Sequence, residues 1–312
     1  SIIIRTSVAM ATYNGAEYVV EQLESIRTQS MPVDEVIIHD DRSTDDTVAI
    51  VEKYIREHGL ERTWKVSQNP KNLGYAANFI GAVKETEGEY IFFCDQDDIW
   101  VPDRVEVMVG QMEEHPGILL LCSEFESFVS SPDAPSVPTW EQKQFRRDHS
   151  LEHLPYEAHN LFINCQGCSM CIRRKFWQEV ENRWYPNWAH DEFVWKLALC
   201  RDGLYVYHGV TLRRRLHSNN VTMHKMRDLP ERVRFLEDLK KSHEATLVFA
   251  ESLSMSERDC RLLHRNIRAT QLRIELLRDR KVWNTLPLLF GYADCYHSRK
   301  SIPVELMMAI RG

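Results

Sequence analysis

Apolar residues in the first hundred positions recur in two alternating patterns. Short apolar runs suited to buried strands occupy residues 6–11, 35–39, 64–67 and 90–94. Between them the spacing turns helical. Residues 16–28 put Val19, Val20, Leu23 and Ile26 on one face, a helix follows through residue 58, and Asn72-Leu73-Gly74 opens another through residue 86. Strands alternating with helices predict βαβ units, hence an α/β fold with a mostly parallel, Rossmann-like sheet flanked by helices. Further on, helices are predicted at 102–115, 175–182 and 189–199, with strands over 118–128, 204–207 and 210–216. Residues 129–160 show little periodicity and predict a loop or insertion. From residue 229 the pattern is helical and polar, with long segments over 232–253 and 257–281. Asp228-Leu229-Pro230 marks the boundary, giving an α/β domain over 1–227 and a C-terminal helical appendage over 228–312.

The strand at residue 90 ends in three carboxylates within four residues: Asp95, Asp97 and Asp98. Like charges that close call for a shared cation, and carboxylate oxygens suit Mg²⁺ or Mn²⁺, which also hold phosphates. Capping of the next helix accounts equally well for Asp98. Asp40-Asp41 ends the second strand in the same way. Ser43, Thr44 and Asp45 are explained by capping, but Asp40 and Asp41 precede the cap, where acidic residues accept hydrogen bonds from a nucleotide's ribose or base. Residues 162–172 read as a strand with Gly167 inside it, a mark of close approach by a ligand. On that strand Cys165 and Cys171 face one side and Cys168 the other, so the three cannot share one zinc and read as buried thiols. His190, Asp191 and Glu192 open a helix, where they either cap it or aim a base into a cleft.

The 312 residues carry a net charge of −7, which argues against nucleic acid as a partner. Residues 228–312 hold 15 Lys+Arg against 12 Asp+Glu, while the remainder holds 24 against 34. The appendage therefore differs in character, and the Arg-rich face of residues 257–281 suggests either packing or contact with anionic lipid. No apolar run is long enough to span a bilayer, and Ile2-Ile3-Ile4 is too short for a signal peptide. The expected location is the cytoplasm, with peripheral contact at the inner face of the membrane through the C-terminal helices. Self-association into a homo-oligomer stays open.

Taken in order, Thr12-Tyr13-Asn14, Asp40-Asp41 through Thr47, Asn72-Leu73-Gly74 with Asn78, Asp95 to Trp100, Gly167, His190-Asp191 and Arg215-x-His217-x-Asn219-Asn220 resemble family 2 glycosyltransferases of the GT-A fold. The segment from Asp95 to Trp100 resembles the bacterial rhamnosyltransferase-like branch, which builds cell-surface polysaccharides. The resemblance implies an inverting enzyme that moves a sugar from a nucleotide-sugar donor, dTDP-rhamnose or a UDP-sugar, to a saccharide or lipid-linked acceptor. It also implies roles. Thr12, Tyr13, Asn14, Asp40, Asp41, Asn72, Gly74, Asn78, Asp95, Gln96, Gly167 and Arg215 would hold the donor. Asp97, the family's DxD aspartate, and His217 would bind Mg²⁺ or Mn²⁺, and Asp191 would be the catalytic base. The aromatic loop from Trp184 to Trp188 is placed to stack on a sugar ring. One departure stands out: Arg42 occupies a place where the family usually has glycine. Two other classes compete. A nucleotidyltransferase is disfavoured because its glycine- and arginine-rich loop after the first strand is replaced by Thr12-Tyr13-Asn14-Gly15. A non-catalytic sugar-binding module is disfavoured because Asp97 and Asp191 are both present.

Overall fold

The computed structural model describes residues 3–218, 226 and 228–312. In chain order the elements are β1 (Thr6–Thr12), α1 (Val19–Arg27), β2 (Glu35–Asp40), α2 (Thr47–Glu57), β3 (Trp64–Gln68), α3 (Tyr75–Lys84), β4 (Tyr90–Cys94), β5 (Ile99–Trp100), α4 (Arg104–Glu114), β6 (Leu120–Val129), α5 (Thr139–Gln144), β7 (Leu151–His153), β8 (Met170–Arg173), α6 (Arg174–Val180), α7 (His190–Cys200), β9 (Leu204–Leu216), α8 (Leu229–Ser252), α9 (Glu257–Arg278), α10 (Thr285–Gly291) and α11 (Ser301–Arg311).

One sheet runs in the order β3-β2-β1-β4-β8-β6-β9-β5, with β7 on β9. The β3-β2-β1-β4 half is wholly parallel, as the βαβ pattern requires. β8 then runs antiparallel to both β4 and β6, so the full sheet is mixed. Alternate residues of the central strands go to opposite faces. Val8, Met10, Val36, Ile38, Phe92 and Cys94 join Leu23, Val51 and Met108 of α1, α2 and α4 in one core. From the other face Phe93 meets Phe79 of α3 edge-on at 5.6 Å. Both faces of β4 are thus dry, which explains its unbroken apolar run. Truncating the wholly buried Phe92 or Phe93 to Ala would remove about 3–5 kcal/mol.

Several expectations are corrected. Residues 162–172 are not one strand: a 3-10 turn occupies Gly167–Ser169 and only Met170–Arg173 pairs with the sheet. Cys168 and Cys171 consequently share one core instead of facing opposite sides, while Cys165 is partly accessible. Residues 129–160 contain α5 and β7. Residues 204–216 form one strand, because the ladder absorbs Gly209 through register shifts against β6 around Glu124. α2 starts only at Thr47; Ser43 and Thr44 are drawn away from capping by Asp40 and Asn14.

The chain divides into two compact units. The first takes residues up to Leu154, then Cys165–Ala198 and the segment from Gly203 through β9. The second takes Pro155–Asn164, Leu199–Asp202 and the C-terminal helices. In the second, Asp228 caps α8 by accepting the Glu231 N–H, with Pro230 in the first turn. Ser256 caps α9 in the same way. Glu305 is fully buried there between Arg273 and Arg232, at 2.7 and 2.9 Å. Among the described residues no helix is long and apolar enough to cross a membrane.

Candidate active site

The strand order reverses at β1, which lies between β2 and β4, and the loops at their carboxyl ends converge there. Register places Thr12, Asp40 and Gln68 side by side. The fully buried Asp40 carboxylate accepts from Thr12 Oγ1 at 2.6 Å, Ser43 Oγ at 2.6 Å, Ser43 N–H at 2.8 Å and Gln68 Nε2 at 3.1 Å. Asp41 accepts the N–H groups of Leu73 and Gly74 at 2.7 and 2.9 Å and an amide hydrogen of Asn69. Asn72 donates back to the Asp41 carbonyl, and buried Asn78 bolts the strands together by donating to the His39 carbonyl. Asn14 accepts from Thr44, while its own N–H donates to Ser43 Oγ. The paired acids therefore shape the loops first. What they leave facing outward is the Tyr13 ring, half-exposed, together with Arg42 and Asn72. Arg42 has φ 70°, the left-handed region that glycine enters freely, and its guanidinium donates to Gln68 Oε1 at 3.2 Å. The chain keeps the glycine-type backbone and adds a cation.

The carboxylate loop after β4 is held from three sides. Gln96 clamps the Tyr13 backbone across the β1–β4 gap, accepting its N–H at 2.8 Å and donating to its carbonyl at 2.9 Å. A polar stripe at helical spacing on α1 receives the other edge: Gln22 Oε1 accepts the Asp98 N–H, and Ser25 Oγ the Trp100 N–H. The β5–β9 ladder brings in the end of β9, where His217 Nε2 lies 2.6 Å from Asp97 Oδ2. Arg215 donates to the Asp97 carbonyl at 3.0 Å and to Glu21 at 2.9 Å, and its guanidinium lies over the Tyr18 ring. Sequence reasoning missed Tyr18, Glu21 and Gln22. The available signal was their i, i+3, i+4 spacing along the polar side of a helix read only for its apolar face.

The acids repel one another. Asp95 is pushed up to about 7 by loss of solvent and by the charges of Asp97 and Asp191, with Arg214 opposing. Burial, then Asp97 and Asp95, push Asp98 well above the carboxylate range. Ligand atoms of Asp95, Asp98 and Cys168 lie within 4.8 Å of one another. Burial also raises the Cys168 thiol, which keeps it protonated and a poor partner for a hard ion. The mutual repulsion of the carboxylates, with His217 against Asp97, is the donor set a divalent cation would relieve.

The start of α7 reaches this loop. A Cβ on Gly167 would sit 2.8 Å from His190 Nε2 and 3.3 Å from Asp191 Cβ, so glycine there admits the helix terminus. The close approach at Gly167 thus includes one by the protein's own helix terminus. His190 is stacked on Phe79 at 4.1 Å and edge-on to Phe93 at 4.8 Å; burial lowers its pKa and keeps it neutral. Asp191 is partly exposed. One hydrogen bond, from the Glu192 N–H at 2.8 Å, reaches its carboxylate among the described residues. Glu192 is engaged instead by Trp188 Nε1 at 2.9 Å and Lys196 at 3.7 Å. Trp188 is buried and stacks on Tyr185 at 4.7 Å, so the aromatic loop spends that ring on itself. Exposed Tyr75, also missed, stands edge-on to His190.

The model of glycosyl transferase family 2 matches residues 7–179, more than half of the chain. The chain belongs to that family. The poly(ribitol-phosphate) β-N-acetylglucosaminyltransferase TarS of Staphylococcus aureus is 36% identical over 121 residues, covering 38% of this glycosyltransferase and 20% of TarS. An uncharacterized glycosyltransferase of Haemophilus influenzae is 25% identical over 219 residues, 69% of this chain and 67% of that one. The chain thus spans only about a fifth of TarS. Among solved structures, S. aureus TarS 1–349 in complex with UDP-GlcNAc superposes with TM-score 0.65 at 20% identity, covering 98% of this chain and 82% of the other. The mannosyltransferase PcManGT of Pyrobaculum calidifontis, in complex with GDP-Man and Mn²⁺, gives 0.55 at 15%, covering 100% and 87%. The fold of this family 2 glycosyltransferase is accordingly GT-A. Of the resemblance motifs, Asn219 and Asn220 lie outside the described residues.

Proposed function

We propose that the protein is a metal-dependent, inverting glycosyltransferase of bacterial surface-polysaccharide synthesis. It takes a sugar from a nucleotide-sugar, UDP- or dTDP-linked, and passes it to a saccharide or lipid-linked saccharide at the cytoplasmic side of the membrane. The observation that carries this reading is geometric: His217 lies 2.6 Å from Asp97 in the carboxylate loop after β4, and Asp191, with one hydrogen bond to its carboxylate among the described residues, opens the helix that packs on Gly167. Tyr13 faces the nucleotide base, and the Asp40–Asp41 loops hold its pocket. Asp97 and His217, with Asp95 beside them, are the residues that would hold Mg²⁺ or Mn²⁺. Such an ion, when bound, offsets the charge developing on the leaving diphosphate. Asp191 takes the acceptor hydroxyl's proton as that oxygen attacks the anomeric carbon; the sugar–phosphate bond breaks on the opposite face, inverting the centre. Arg215 steadies the Asp97 backbone, a positioning role instead of direct phosphate contact.

The test is a nucleotide-sugar panel with Mg²⁺ or Mn²⁺, read by release of nucleoside diphosphate and by NMR of the product anomer. Asp191→Asn should keep donor binding and lose about 10²–10⁴-fold in turnover. An anomer retaining the donor's configuration would refute the single displacement. Near-normal turnover in Asp191→Asn would reduce Asp191 to a polar residue in the first turn of α7.

A further inference from the structure

Among the described residues of the C-terminal unit most exposed large apolar side chains lie on α10, α11 and the turn before α10, with Phe235 and Val248 on α8, and not on the basic helix α9 that the sequence singled out. α9 buries Leu263, Ile274 and Leu277, and three of its arginines are spent in ion pairs: Arg265 with Asp294, Arg273 with Glu305, Arg278 with Asp279. The short helix α10 does the opposite. Leu288 is its buried anchor, while Leu286 and Phe290, one turn apart, and Leu289 beside them stay in solvent. Trp283, one turn earlier, is 78% exposed and Phe290 81%. α11 anchors through Ile302 and Ala309 and exposes Met307 and Ile310. Between the two helices a cleft of about 370 Å³ is lined by Leu289, Ile302, Pro303 and Leu306, with Arg299 at its edge. Such a concentration of exposed apolar side chains on two helices packed against each other, with two large aromatic rings in water, marks an interaction surface.

Charge indicates what the surface meets. Arg299, Lys300 and Arg311 are exposed around it and form no salt bridge among the described residues. The acids of the same stretch are neutralised, Asp294 by Arg265 and Glu305 by two arginines in the interior. The face is therefore apolar in its middle and positive at the rim around Arg299 and Lys300, while Asp228 stands beside Arg311 at the Met307 end. A second copy docked on it about a two-fold axis would set arginine against arginine. An anionic bilayer matches both features: aromatic and aliphatic side chains enter the headgroup boundary while Lys and Arg stay at phosphate level.

We propose that α10 and α11 form a peripheral membrane-binding face for an anionic lipid surface, with Trp283 and Phe290 as its inserted anchors. The contact stands independently of the sugar chemistry and holds the protein at the plane where lipid-linked saccharides are found. The experiment is flotation of the full chain with equimolar phosphatidylcholine–phosphatidylglycerol vesicles and with pure phosphatidylcholine vesicles, at low and high salt. The protein is expected to float with the anionic vesicles only, and less as salt rises. Trp283→Glu with Phe290→Glu should abolish flotation. Arg299→Glu with Lys300→Glu should weaken it at least about 25-fold, roughly fivefold per charge. Because all four side chains are exposed, melting temperature should be unchanged in both variants. Failure of the wild type to float, or equal flotation of the Trp283/Phe290 variant, overturns the proposal. So does a sedimenting dimer that the same variant dissolves while vesicles have no effect, which would assign the face to a second copy. None of these outcomes alters donor turnover, so the lipid proposal fails or stands apart from the transferase reading.

Discussion

Replacing Gly167 by alanine tests whether the terminus of α7 is held to sub-ångström tolerance. The new methyl would lie 2.8 Å from His190 Nε2, where ordinary contact begins near ~3.4 Å, so ~0.6 Å must be found. His190 cannot swing aside, because Phe79 stacks on it and Phe93 abuts its ring. Gly167 is not among the residues with positive φ, so the backbone accepts alanine and the effect is purely steric. The helix start must therefore retreat and carry Asp191, whose Cβ is the next atom met at 3.3 Å. Overpacking of this sort costs about 1–3 kcal/mol, a fall of several degrees in Tm. Since a misplacement of about 1 Å can cost about 10²-fold, a shift of ~0.6 Å should lower kcat about tenfold, with donor KM nearly unchanged. Steady-state kinetics by diphosphate release, beside thermal melts, read both quantities, and Gly167→Ser should be worse on each. Wild-type kcat in Gly167→Ala, or an effect confined to donor KM, would sink the reasoning. The latter would return Gly167 to direct contact with the donor.

EDTA should abolish transfer and excess Mn²⁺ or Mg²⁺ restore it, and Asp97→Ala should lose at least about 10²-fold in turnover without lowering Tm; full activity in EDTA would refute the cation assignment. Arg42→Gly relieves a left-handed arginine, worth about 1 kcal/mol, and should raise Tm by about 2–4 °C; a fall would mean that the Arg42–Gln68 bond outweighs the strain. His190 is lowered by burial from 6.5, so between its folded and unfolded values the unfolded chain binds more protons. Its contribution to stability is whole above about pH 6.5 and is lost as pH falls below that. Denaturant unfolding at pH 7 and pH 5.5 should show this slope, and His190→Phe should flatten it; an unchanged slope in the variant would assign the effect elsewhere.

Periodicity alone carried the parallel half of the sheet, the helices on both its faces and the two long C-terminal helices, because their apolar spacing records burial on one face or two. The acids at strand ends were legible for the same reason: an abrupt change from a fully apolar run to Asp95-Gln96-Asp97-Asp98 has no packing explanation. What those acids do locally was not legible. Asp40 and Asp41 spend their oxygens on loops far apart in sequence, and no local pattern encodes a bond from Gln68 or Gly74. The antiparallel placement of β8, the approach of His217 to Asp97 through the β5–β9 ladder, and the contact of Gly167 with His190 are all long-range facts. They follow from which strand edges pair after the chain collapses, a choice made by the whole core and not by any window of it. The same holds for α9 and α10. Composition put the positive charge on α9, but only tertiary ion pairing showed that several of those charges are spent, and only packing left Trp283 and Phe290 in water.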